Sequence, residues 1–403
     1  METVNGGVCA AKGFTANGIR CGIRKNRNKR DLSLIYSSAP ANAAAVYTTN
    51  VVQGAPITVT KANISDGKAR AIICNSGNAN TCNANGIEMA EKTCALIGSA
   101  LGISPKDVIV ASTGVIGQPL DIGPIESGIP ALAAGLGAKS GEACEGIMTT
   151  DTVKKQIAVR FTLGGAECTI GAIAKGSGMI HPNMATMLVF ITTDAAISAP
   201  MLQKALSCDV KNTFNMTSVD GDTSTNDMVC ILANGLAGNP EITCCGEDFE
   251  TFMRALNTVT VYLCRAIAAD GEGATKLLEC RVSGAPDEDS AKKAAKSVIC
   301  SSLVKTAMFG ADANWGRVLC AIGYSGAVGS TDTVDVAFRS RAGTVVVCRS
   351  GAGVDFSEDE AKKVLLEDEI EILVDMNIGA AGAAAWGCDL TYDYVKINGD
   401  YRT

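Results

Sequence analysis

One segment concentrates residue types that could do covalent chemistry: KGSGMIHPNMATMLVFITTDA, Lys175 to Ala195. Gly176, Gly178 and Pro182 interrupt any helix, and the apolar, β-branched run that follows predicts a buried strand beginning at Thr186. A hydroxyl at the mouth of a strand, behind a glycine-rich loop, is placed to attack the preceding carbonyl of Ala185. An N→O acyl shift followed by hydrolysis would cut the Ala185–Thr186 bond and free the α-amine of Thr186. That amine, with an ordinary pKa of about 7.7–8, can take the proton of its own Oγ, which makes a self-contained activated nucleophile. The same residues also describe a plain strand that opens on a threonine, and spacing alone leaves both readings open. Imidazole chemistry has little to work with. His181 is the only histidine, so a Ser-His-Asp or Cys-His arrangement has at most one base and two-histidine metal sites are excluded. His181 itself reads as a loop residue without a catalytic role.

The 17 cysteines run from Cys9 to Cys388 without a C-x-x-C pair, and adjacent Cys244 and Cys245 suit no tetrahedral metal. They read as reduced thiols filling small core spaces. Neither a Walker-type phosphate loop nor a complete G-x-G-x-x-G occurs. Asp220, Asp222, Ser224 and Asn226 imitate a calcium loop, but Thr225 stands where its glycine belongs and Ile231 where its final Glu belongs, so a hydrogen-bonded turn is expected. The basic run Arg20, Arg24, Lys25, Arg27, Lys29 and Arg30 contains no aromatic residue and reads as a solvated loop. With net charge −7, nucleic acid is not an expected partner. No apolar run approaches the ~18–20 residues of a membrane span, and METVNGG lacks the basic and apolar regions of a signal peptide. The expectation is a soluble, cytoplasmic protein.

The elements that must position this chemistry follow from periodicity. Hydrophobic residues make up 47% of the 403, charged residues 19% and aromatics 4%, with 43 glycines, which suits closely packed layers with tight turns. Strands are expected at 69–74, 108–110, 157–161 and 168–174, with helices over 87–101, from Pro200 to Val210 and from Phe249 to Ile267. The last should stop at Asp270-Gly271, where glycine favours a left-handed cap. Residues 281–288, RVSGAPDE, make the best internal boundary. Beyond it a helix near 289–304, a hairpin at 333–348 and strands near 369–375 and 391–397 are predicted. The alternation of helices and strands indicates an α/β or α+β chain, with Thr113 at the end of a strand.

The segment GSGMIHPNMATMLVFITTDA resembles the self-cleavage region of the ornithine acetyltransferases, the glutamate N-acetyltransferases of the cyclic arginine pathway. Further blocks are similar to that family and in its order: RDLSLIYSSAPANAAAVYTTN, CNSGNANTC, ASTGVIGQ, TTDTVKK, FNMTSVDGDTSTND, DGEGATK, ANWGR and the terminal YVKINGDYRT, so the likeness runs from about residue 5 to 403. The resemblance implies cleavage at Ala185–Thr186, Thr186 as nucleophile, and Thr113 with Gly114 as the oxyanion pair. It implies substrate contacts at Thr152, Lys175, Thr186, Glu272, Asn398 and Thr403. Lys175 would neutralise a substrate carboxylate, and Glu272 would hold an ammonium or relay a proton.

By the same resemblance the fold is a layered α/β/β/α-like sandwich similar to N-terminal-nucleophile hydrolases, with smaller α/β lobes in the C-terminal half. The implied divisions are an α chain of 1–185, a stretch 186–285 completing the sandwich, and a C-terminal part 286–403. The implied reaction is ping-pong acetyl transfer from N2-acetyl-L-ornithine to L-glutamate, with no metal or organic cofactor. Some members of that family also use acetyl-CoA, and no phosphate site legible here decides the point. The implied assembly is a dimer of heterodimers. An N-terminal-nucleophile aminopeptidase or amidase, and a ligand-binding protein without activity, are the alternatives.

Overall fold

The computed structural model describes residues 1–24, 28–181 and 187–399. In chain order, the strands are β1 (Glu2–Val4), β2 (Phe14–Ile19), β3 (Leu32–Tyr47), β4 (Lys68–Asn75), β5 (Val108–Ser112), β6 (Lys155–Leu163), β7 (Ala166–Lys175) and β8 (Leu188–Thr193). They continue with β9 (Thr217–Ser218), β10 (Met228–Ala233), β11 (Leu277–Ala285), β12 (Asp335–Ser340), β13 (Gly343–Arg349), β14 (Ala352–Gly353), β15 (Glu369–Asp375) and β16 (Ala381–Cys388). The helices are α1 (Ala55–Asn63), α2 (Gly86–Leu101), α3 (Gly123–Ala134), α4 (Ser140–Ile147), α5 (Ala199–Val210) and α6 (Glu247–Ala269). They end with α7 (Glu288–Cys300), α8 (Ser302–Phe309), α9 (Trp315–Gly323), α10 (Glu358–Leu365) and α11 (Tyr392–Gly399).

One hydrogen-bonded sheet, in the order β1-β6-β7-β8-β10-β3-β4-β5 with β2 on β3, supplies both β layers. The device is the 16-residue β3. Its first half pairs with β2 and β4, and its second half, from Asn42 to Tyr47, pairs with β10. Between them the β3–β4 register shifts from Tyr36 to Ala41, where Pro40 withholds an N–H from the ladder. The sheet therefore turns over on itself at this corner.

Period-2 alternation then sorts the side chains into three cores. Leu188 and Phe190 of β8 and Met228, Cys230 and Leu232 of β10 meet Ile35, Ile72 and Cys74 between the two layers. The intervening Val189, Ile191, Val229 and Ile231 point outward to α5 and α6, whose apolar faces include Leu202, Leu206, Phe252, Leu256 and Leu263. On the far side, Ala71, Ile73, Val108 and Val110 are covered by α2 and α3 through Cys94, Ile97, Ile125 and Ile129. This is the expected helix–sheet–sheet–helix stack. Phe161 of β6 meets Phe252 of α6 edge to face, with centroids 6.3 Å apart.

A second, seven-stranded sheet, β14-β13-β12-β15-β11-β16-β9, carries α7 to α10 and shares the larger core with the first. It departs from the sequence reading in three places. Residues 281–285, the start of the expected boundary, form the second half of β11, with Val282 and Ala285 buried. The stretch 391–397 is helical: the Thr391 hydroxyl accepts from the Tyr394 N–H and starts α11, overriding the alternating pattern of YDYVKI. The strand Ala381–Cys388 went unread because alanine and glycine carry little β-propensity. Elsewhere, α6 stops at Ala269 as expected, but Asp270 caps it at φ −97° and the left-handed glycine is Gly273. The helix expected over 289–304 breaks at Ser301, whose hydroxyl caps α8. Strand β8 begins at Leu188, two residues later than expected. All 17 cysteines are free thiols, yet Cys82, Cys208, Cys244, Cys245 and Cys320 are exposed and fill no core space. No described helix is long and apolar enough to cross a membrane.

Candidate functional site

The candidate oxyanion pair is built by two parallel strands that end together. Asn75 closes β4 level with Ser112 of β5. Its side chain donates to Ser112 Oγ at 2.7 Å and accepts from the N–H groups of Gly77 (3.3 Å) and Asn78 (3.1 Å). The Thr113 N–H donates to the Asn75 carbonyl at 2.9 Å, so the turn 75–78 and the dipeptide Thr113-Gly114 lie against each other. Gly114 is held at φ +123°, and a Cβ there would stand 2.7 Å from the carbonyl carbon of Gly77. Only glycine fits this backbone.

Asn226, just before β10 in the other layer, clasps the two layers. Its amide donates to the carbonyls of Ala79 (2.5 Å) and Ser112 (2.9 Å), while its oxygen accepts from the hydroxyls of Thr81 and Thr225, both at 2.6 Å. The next residue, Asp227, is buried with Oδ2 unpartnered among the described residues. Burial drives its carboxyl well above the usual carboxylate range, against the pull of the nearby Lys175 ammonium.

Lys175 ends β7 opposite Leu188 of β8 and is buried. Its ammonium bears electrostatically on Asp227, on Asp151 and, across the layers, on Cys74 of β4. The following turn leads to Gly178, where a Cβ would come 2.3 Å from the carboxyl of Glu272. The Glu272 N–H donates to the Ser177 carbonyl at 3.2 Å. Asn398 of α11 donates to Glu272 Oε2 at 2.8 Å. Thr152 is fixed by Asp270, which accepts from its N–H at 3.0 Å and from its hydroxyl.

Five segments distant in sequence therefore bring Thr152, Lys175, Glu272 and Asn398 to one end of the sandwich, with Thr113 and Gly114 on the facing layer. Ala185, Thr186 and Thr403 lie outside the described residues. Sequence reasoning placed Asn226 only in an expected hydrogen-bonded turn and gave Asp227 no role, although both immediately precede a fully buried strand. It also misread part of the basic run. Arg24 donates to the carbonyls of Ser76 (2.6 Å) and Met148, Lys29 to that of Thr149, and Arg30 pairs with Glu145 at 2.9 Å. Arg24 thereby braces the turn 75–78 beside the candidate oxyanion pair, while Lys29 and Arg30 tie the run to the C-terminal end of α4. Lys25 and Arg27 lie outside the described residues.

His181 is neither free nor close to a charge relay. Its Nδ1 is 3.1 Å from Ser218 Oγ and 3.6 Å from Cys300 Sγ, and its carbonyl accepts from the Thr223 hydroxyl. Burial, reinforced by the Lys296 ammonium, pushes its pKa down to about 4.

The sequence profile of the ArgJ family matches residues 15–403. The arginine biosynthesis bifunctional protein ArgJ of Symbiobacterium thermophilum is 52% identical over 406 aligned positions covering the whole of both chains. The protein of the same name from Caldanaerobacter subterraneus subsp. tengcongensis is 50% identical, again over both full lengths. Among solved structures, the arginine biosynthesis bifunctional protein argJ of Bacillus halodurans is 48% identical with a TM-score of 0.50, covering 53% of this chain and 98% of that one.

Proposed function

The chain belongs to the ArgJ family, and from that membership we propose that this enzyme of arginine biosynthesis is a glutamate N-acetyltransferase. It moves the acetyl group of N2-acetyl-L-ornithine to L-glutamate. Thr186 Oγ attacks the acetyl carbonyl while the α-amine of the same residue accepts the hydroxyl proton. The tetrahedral oxyanion is held by the Thr113 hydroxyl and the Gly114 N–H, each worth ~2.7–4 kcal/mol in the transition state. The C–N bond then breaks, and ornithine leaves with the proton, which gives an acetyl-threonine ester. The amine of glutamate attacks that ester, its proton returns to Thr186 Oγ, and N-acetylglutamate departs. Atoms and charges balance without a cofactor.

The observation that carries this reading is the Asn398–Glu272 hydrogen bond seated against Gly178. It gathers residues from three remote blocks at the end of β7, next to Lys175. A substrate with a carboxylate at Lys175 and an ammonium at Glu272 suits ornithine. The reading further holds that the precursor cuts itself into an α chain of 1–185 and a β chain of 186–403, which pair as a dimer of heterodimers in the cytoplasm.

The test is the intact mass of fresh protein beside Thr186→Ala. Two chains of ~19 and ~22 kDa from the 41.4 kDa precursor, the second beginning Thr-Met-Leu-Val and absent from the variant, are expected for an activated threonine. Acetyl transfer is then assayed with glutamate omitted. Stalling after one acetyl group per site supports the transferase; continued ornithine release indicates a hydrolase, and an uncut, inert chain indicates a binding protein.

A further inference from the structure

Behind the residues assigned to substrate lies a cluster of charges that the mechanism does not use. Lys155, the first residue of β6, is fully buried, with Nζ 2.8 Å from Asp151 Oδ1 and 2.5 Å from Asp270 Oδ2. Each carboxylate also gathers backbone from a different segment. Asp151 accepts from the N–H groups of Thr149 (2.9 Å) and Gly176 (2.7 Å). Asp270 accepts from the N–H and hydroxyl of Thr152 and, at 3.4 Å, from the N–H of Val153. The Asp270 carbonyl takes the Ser177 hydroxyl at 2.7 Å, and the Ser177 carbonyl takes the Glu272 N–H.

Resting on the function proposed above, we infer that the buried Asp151–Lys155–Asp270 triad is a positioning device of the acetyl-transfer site. It locks the loop bearing Thr152, the end of β7 bearing Lys175 and the turn bearing Glu272 into one frame.

Three arguments favour this over a staple for stability. A buried ion pair is poor evidence of net stabilisation, because desolvation offsets most of the attraction. Asp270 caps the C-terminal end of the 23-residue α6, the negative end of the helix dipole, where a carboxylate is unfavourable for the helix itself. Finally, Oδ1 of Asp151 is taken by Lys155 and the Gly176 N–H and Oδ2 accepts the Thr149 N–H, while the Lys175 ammonium makes no hydrogen bond to any described residue and faces the ligand side with its charge uncommitted.

The test compares Asp270→Asn, Thr152→Ala and the double variant with the wild type. KM and kcat for N-acetylornithine and glutamate are measured per cleaved site, beside Tm. Asparagine keeps an acceptor for the Thr152 N–H but removes the charge that holds Lys155. The expected result is a KM for N-acetylornithine raised about tenfold or more, with kcat per cleaved site within about threefold. The double variant should be no worse than the poorer single variant, because Asp270 acts through Thr152. A purely structural role would lower Tm and the cleaved fraction and leave KM unchanged; that result, or effects that multiply in the double variant, overturns the inference. If Asp270→Asn does not accumulate, Ser177→Ala removes one uncharged hydrogen bond; a KM raised about threefold supports the inference and an unchanged KM overturns it. A wild type without acetyl transfer overturns the proposed function as well, which separates that failure from this one.

Discussion

Replacing Gly114 by alanine makes the sharpest demand on the candidate oxyanion pair. The new Cβ would lie 2.7 Å from the Gly77 carbonyl carbon and 2.9 Å from the Asn78 nitrogen, where ordinary contact begins at 3.4 Å. The two backbones must therefore separate by about 0.7 Å, beyond the ~0.5 Å within which a catalytic donor must be held. At φ +123° an L-residue also adds strain on the order of 1–3 kcal/mol. If the Gly114 N–H is the oxyanion donor, its displacement forfeits ~2.7–4 kcal/mol of transition-state stabilisation, or 10²–10³ in kcat. Gly117 supplies the control: it too has positive φ, +78°, but a Cβ there meets nothing within 4 Å. Gly117→Ala should lower Tm modestly and keep kcat within about threefold. Acetyl transfer per cleaved site, with Tm measured alongside, reads both variants. Gly114→Ala at wild-type kcat would refute the assignment, and equal loss in both variants would show that strain alone had been measured.

Asn226→Asp keeps the shape of the clasp but cannot donate to the Ala79 and Ser112 carbonyls, and should lower the unfolding free energy by ~2–4 kcal/mol in urea titration; an unchanged midpoint would mean the layers are held elsewhere. Because His181 is the only imidazole, its titration is a single NMR signal, expected near pH 4 and well below the ordinary ~6.5. Between those two values the unfolded chain binds more protons than the folded one, so stability should fall as pH drops from 6.5 towards 4, and His181→Gln should flatten that slope. A midpoint above 6 would contradict the burial of the ring. Asp151 shows the opposite residue type with the same sign. Burial would raise its pKa, but Lys155 and Lys175 hold it at about 2, so the stability it contributes should disappear only as pH falls from about 4 to 2, as followed by acid unfolding.

The layers were legible because period-2 and period-3.6 patterns report burial directly, as in Ile157, Val159 and Phe161 or in the stripe of α6. What escaped was set by partners remote in the chain. The corner in β3 shows locally only as SSAP, and whether such a run turns a strand over or ends it depends on β10, almost 190 residues later. Nothing local marks Lys155 as buried; its burial is tolerable because Asp151 is joined by Asp270, which arrives from the end of a helix 115 residues away. The candidate site divides the same way. Thr152, Lys175, Glu272 and Asn398 were found by resemblance to a family, and their meeting at one end of the sandwich comes from the fold. Asn226 has no local signature, since three of its four side-chain partners lie in two segments more than 100 residues away.

The strand order has a consequence for how the protein comes apart. β8 and β10, both downstream of Thr186, lie side by side between β7 and β3, both upstream of it. A cut at Thr186 thus leaves the later half supplying two interior strands to a sheet whose flanks belong to the earlier half. Uncut, the chain refolds in a first-order process. Once cut, recovery from full denaturation is a second-order encounter between fragments, each exposing unpaired interior strand edges. Dilution should then slow the refolding of a cut chain and leave that of Thr186→Ala unchanged, so for a chain that is cut, folding before cutting is the efficient order of events.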